Sequence, residues 1–124
     1  MHASTLTTVT SRYSMRPPID YTSFRENWSV DPHENRDLLI DYAESNAADL
    51  QSLRAGVAGN RMLDVMRAAH RIAGASQIVG ALRVVAACRR IENAVRDNQW
   101  GAIQDYADAL SREIEQVDDF IHSI

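Results

Sequence analysis

Of the four histidines and the single cysteine in this 124-residue chain, His70 stands in the setting best suited to chemistry. It lies in the segment from Arg61 to about Val79, where Met62, Val65, Met66, Ala69, Ile72, Ser76 and Val79 recur at helical spacing. The apolar stripe centres near Ala69, and His70 falls roughly 110° from that centre, at the edge of the polar side. Arg67, Gly74 and Gln77, at i−3, i+4 and i+7, share its face. His70 is therefore expected to be exposed, with a glycine one turn away. Glycine inside a helix costs about 1 kcal/mol relative to alanine, and access is the reason the pattern offers: a missing side chain beside an exposed imidazole lets another protein's backbone come close. Neutral imidazole is a nucleophile at physiological pH and forms a labile N–P bond. Phosphoryl transfer needs mostly positioning and charge stabilisation, which a partner holding a metal ion can supply. The carrier need only present the ring.

The other reactive residues fit blander roles. His2, His33 and His122 have no metal-ligand spacing with one another. Cys88 reads as a small core residue. Glu92 falls with Leu82, Val85 and Cys88 on its helix, and a structural hydrogen bond to a neighbouring helix end is favoured over contact with His70. Met62, Met66 and the stripe opening at Trp100 read as core. Gln77 is a secondary site candidate.

The elements that position His70 are all helical. Residues 1–18 are rich in Ser and Thr, lack acidic residues and end in Pro17-Pro18, so they read as a linker or tail, attached upstream or simply a ragged terminus. The bundle is expected over 19–124. Tyr21, Phe24 and Trp28 suit a short helix over Ile19 to Trp28. Asp31-Pro32-His33-Glu34 has the form of a helix start, with Asp31 as N-cap. The helix that follows, about 32–56, carries Leu38, Leu39, Tyr42, Ala43, Ala47, Leu50, Leu53 and Val57, with Gly56 and Gly59-Asn60 as places to stop. Gly80 ends or interrupts the His70 helix. A third helix, from Ala81 to about Arg96, uses Leu82, Val85, Cys88 and Val95 and closes at Asp97-Asn98; the last runs from Trp100 through Ile121. No stretch alternates like a strand. The expected fold is all-α: an antiparallel up-and-down four-helix bundle with a short extra N-terminal helix.

Composition narrows the partners. A formal charge of −4 with no basic stripe argues against nucleic acid. One cysteine cannot form an intrachain disulfide, and no apolar run approaches the roughly 18 residues of a membrane span, so a cytoplasmic protein without direct membrane contact is expected. No Walker-type loop is present, so ATP-dependent autophosphorylation is not expected. The bundle shows no second apolar stripe, in keeping with a monomer.

The segment Ala69-His70-Arg71-Ile72-Ala73-Gly74, then Gly80-Ala81, then Ile91-Glu92, resembles the signature of histidine-containing phosphotransfer (HPt) domains. That family's pattern is Ala-His-x-Leu-Lys-Gly, with Gly-Ala ten and Leu-Glu about twenty-two residues beyond the histidine. The resemblance extends from about Tyr21 to Ile121 and is strongest over 69–92. It implies that His70 is phosphorylated by the aspartate of one receiver domain and passes the group to another. It also implies no cofactor of the chain's own, Mg²⁺ on the partner receiver, and a place like that of the C-terminal domain of hybrid sensor histidine kinases, on the cytoplasmic side of the inner membrane. One departure stands out. Ala73 replaces the family's lysine, leaving Arg67, and less favourably Arg71, to neutralise a phosphoimidazole. The alternative is a binding bundle that does no phosphotransfer; a metal or redox carrier lacks a ligand cluster.

Overall fold

The computed structural model describes residues 17–20, 22, 24 and 35–124. Among them four α-helices follow in order: α1 Arg36–Ala58, α2 Met62–Val79, α3 Leu82–Arg96 and α4 Ile103–Ser123, the last entered through a 3₁₀ turn at Trp100–Ala102. α1 packs on α2 and α4, and α3 packs on the same two helices, with no diagonal pairing. Short connections force successive helices antiparallel, so this is the up-and-down bundle that the periodicity predicts. Most of the proposed N-terminal helix, Tyr21 and Trp28 included, lies outside the described residues, as does the cap at Asp31-Pro32-Glu34. Ile19 and Phe24 are buried in the core, and the Asp20 amide donates to the Gly80 carbonyl at 2.8 Å, tying that segment to the α2–α3 turn.

The exits of α1, α2 and α3 share one chemical solution. Asn60, Gly80 and Asn98 adopt positive φ of 54°, 79° and 55°. In each case the following amide donates back five residues: Arg61 to Gly56, Ala81 to Ser76 and Gln99 to Ala94, all at 2.8 Å. These are Schellman turns, in which glycine or asparagine accepts the left-handed conformation that closes the last carbonyls. Gly56, a candidate stop in the sequence, instead sits buried inside α1. A Cβ there would lie 2.9 Å from Val65 Cγ2, so this glycine lets α1 and α2 approach closely.

The buried faces are wider than single stripes, because each helix touches two others. On α2, Ala68 and Ala73 are fully buried with Val65, Ala69, Ile72, Ser76 and Val79, while Met62 and Met66 are half-buried. On α3 the buried set is Val84, Ala87, Cys88, Ile91, Glu92 and Ala94, a stripe rotated from the expected one, with Leu82, Val85 and Val95 at its margin. Alanine at these contacts permits close helix approach. Trp100, expected in the core, is 52% exposed; it lies in the 3₁₀ turn beyond the layer that Ile103 closes. Ala47 is exposed, whereas Asn46 is buried.

The core holds one satisfied polar pair, the Tyr42 hydroxyl and Ser76 Oγ at 2.6 Å between α1 and α2. Burial pushes the Tyr42 phenol up to about 12, so it remains a neutral hydroxyl. One turn along α1, the Asn46 amide lies near the Tyr42 hydroxyl, but neither its nitrogen nor its oxygen completes a hydrogen bond among the described residues. An unmet buried polar group costs about 1–3 kcal/mol. Asn46→Leu, similar in volume, is therefore expected to raise unfolding free energy by about 1 kcal/mol in urea titration; a loss of stability would contradict this reading.

Candidate functional site

α2 presents His70 because the buried arc of the helix lies on the opposite side. Ala69 and Ala73, on either side of it in sequence, are fully buried, while the imidazole is 73% exposed. Gly74 lies one turn on, and a Cβ built there meets nothing within 4 Å. Nothing in the described chain thus requires a glycine at 74; the space in front of it is open to a visitor. Arg67 and Gln77 are exposed, as the helical angles predict. Leu63 and Gln77, seven residues to either side of His70, lie within about 20° of it. Leu63, 61% exposed, is an apolar side chain in line with the imidazole about two turns away, while Ile78, 51% exposed, lies about 80° round the helix.

The flanks of this face differ. Toward α1, Arg71 Nε donates to Asp49 Oδ1 at 3.0 Å, so this candidate cation is already committed to a carboxylate. Arg67 makes no hydrogen bond or ion pair among the described residues. Toward α3, Glu92 Oε2 lies 3.7 Å from His70 Nδ1, while its side chain is only 10% exposed. This is a long contact between a ring nitrogen and a carboxylate oxygen, an ion pair only when the imidazole is protonated, and not a hydrogen bond. Its other oxygen accepts from Arg89 Nη1 at 2.9 Å.

Glu92 overturns the sequence expectation of a bond to a helix end. Its nearest partners are His70 across the α2–α3 interface and Arg89 on its own helix. The angle of Glu92 on α3 was readable, but the rotation of α3 against α2 was not. The i, i+3 spacing of Arg89 and Glu92 was the available hint that the carboxylate is held.

Electrostatically, a carboxylate facing Nδ1 favours the tautomer that carries its proton there. The Nε2 lone pair is then left on the solvent side. The geometry leaves the imidazole open on its Nε2 side and set against the Glu92 carboxylate on its Nδ1 side, an arrangement in which the ring can act as a nucleophile. Cys88, fully buried behind Glu92, is not a competitor: burial, and next the Glu92 charge, pushes its thiol up to about 12. No group of three metal-ligating side chains occurs among the described residues. His122 sits far along the chain on α4, its Nδ1 2.7 Å from the Asp118 carbonyl; His2 and His33 lie outside the described residues. No helix among the described residues is long and apolar enough to cross a membrane.

Comparison with curated proteins finds no match. Among solved structures the fold is similar to histidine-containing phosphotransfer protein B (HptB) from Pseudomonas aeruginosa, with a TM-score of 0.79 at 20% identity over 87% of this chain and 94% of that one. The family model of the Hpt domain matches residues 37–120, a span that contains all of the described His70 face and most of the bundle. This chain therefore belongs to the Hpt domain family.

Proposed function

We propose that His70 accepts a phosphoryl group from the aspartyl phosphate of one receiver domain and delivers it to the aspartate of another. Hpt domains are phosphocarriers without an ATP site, which limits the donor to a partner already phosphorylated. In the forward step Nε2 attacks phosphorus, the acyl P–O bond breaks, and the aspartate leaves as a carboxylate; the reverse reloads an aspartate. Nδ1 keeps its proton, and the Glu92 carboxylate offsets the positive charge that the ring acquires as the N–P bond forms. Mg²⁺ belongs to the receiver in this scheme. The observation that carries the reading is the open imidazole over an unfilled Gly74, with its Nδ1 edge turned to Glu92. Incubation with a phosphorylated receiver and Mg²⁺ should give the chain an acid-labile, base-stable label. Absence of label from a panel of receivers would favour the adaptor reading.

That second reading draws on Ala73, which stands in place of the family's lysine and is fully buried. In the phosphocarrier reading Arg67 supplies the cation, being exposed, without a partner among the described residues and on the His70 side of α2. Arg67→Ala should then shorten phosphohistidine lifetime and slow transfer by about tenfold, the worth of one charge-assisted contact. Unchanged lifetime and rate would assign all neutralisation to the partner. A cytoplasmic, monomeric state completes the proposal, with a place at the cytoplasmic side of the inner membrane where the domain forms the C-terminal part of a hybrid sensor kinase.

A further inference from the structure

On the α1 side of His70 an open groove of about 420 Å³ runs between α1 and α2, lined by Ser52, Ala55, Arg61, Asp64, Arg67 and Arg71. Three guanidinium groups meet the Asp64 carboxylate here, with Asp49 bound to Arg71 at the rim, in a chain whose formal charge is −4. Two of the three are held at the rims. Arg61 Nε donates to Asp64 Oδ2 at 3.2 Å and its Nη2 to the Ala55 carbonyl at 3.2 Å; Arg71 is held by Asp49. Arg67 has no partner among the described residues. Exposed pairs of this kind are worth at most about 1 kcal/mol, so an incoming carboxylate can exchange with Asp64 or Asp49 at small cost. The arginines of the groove run from Arg61, the residue before α2, to Arg71 within it, a span of about 15 Å at helical rise. That length suits several acidic side chains on one strand of peptide better than a single small anion.

We propose that this groove docks an acidic segment of the protein that approaches His70, and so helps select which partner is served. The identity of that partner as a receiver rests on the function proposed above, but the binding itself does not require phosphotransfer. Titration of the full chain with hexaglutamate at low salt, followed by backbone amide NMR shifts, is expected to perturb Ser52, Ala55, Arg67 and Arg71. Arg67→Glu should weaken binding about tenfold, as loss of a close charge pair does, whereas Arg112→Glu, an equal charge change on exposed α4 surface, should not. His70→Gln should bind the peptide like the wild type, which separates this surface from the phosphoryl chemistry. Inorganic pyrophosphate, titrated in parallel, should bind more weakly than the peptide. The proposal is overturned by absence of shifts at the groove, by equal weakening in the Arg67 and Arg112 variants, or by pyrophosphate binding as tightly as hexaglutamate. Failure of phosphotransfer with groove binding intact would overturn the function and leave the acidic-segment site standing.

Discussion

Replacing His70 by glutamine is expected to abolish phosphoryl acceptance, lowering the transfer rate by about a thousandfold or more, to the detection limit. Glutamine keeps a polar, helix-compatible side chain at a position that is 73% exposed, so thermal unfolding should move by little, within about 0.5 kcal/mol. The separation of the two effects is the point. The described His70 face offers no second nucleophile: Cys88 is buried with its thiol pushed up to about 12, and Ser76 is bound to Tyr42 inside the core. Label persisting in His70→Gln would place the chemistry elsewhere.

The second large effect concerns Gly74, where stability and activity should move in opposite directions. Gly74→Leu introduces a good helix former where the chain leaves open space, so the bundle should gain about 1 kcal/mol, equivalent to roughly 4 °C in melting temperature. The same isobutyl group would stand one turn from the imidazole, on the surface that the proposed receiver partner would cover. A clash at the centre of an interface costs about 2–4 kcal/mol, so transfer should fall on the order of a hundredfold. Gly74→Ala, with one methyl, should gain the stability and lose less of the rate. A leucine variant that transfers normally would remove access as the reason for the glycine.

The parts of this fold governed by local chemistry were legible. Asn60, Gly80 and Asn98 announced the turns because few residues accept positive φ, and the outward direction of His70, Arg67, Gly74 and Gln77 follows from spacing along one helix. What depends on two helices meeting was not legible. Glu92 faces His70 only because α3 is rotated so that Val84, Ala87 and Ile91 point inward. Gly56 reads as a stop until Val65 is found against it. Arg71 reads as a free cation until Asp49 of α1 is found 3.0 Å away. The unpartnered Asn46 amide and the exposed Trp100 fall in the same class. Periodicity ranks residues by angle, but the width of the buried arc is set by how many neighbours a helix has.

Heteronuclear NMR of the ¹⁵N-labelled chain after loading from a phosphorylated receiver decides whether His70 is an oriented phosphoryl carrier. A single phosphohistidine is expected, at His70, with phosphorus coupled to Nε2 and the proton retained on Nδ1 toward Glu92. Phosphorus on Nδ1, on another residue, or on no residue after exposure to competent receivers would contradict it.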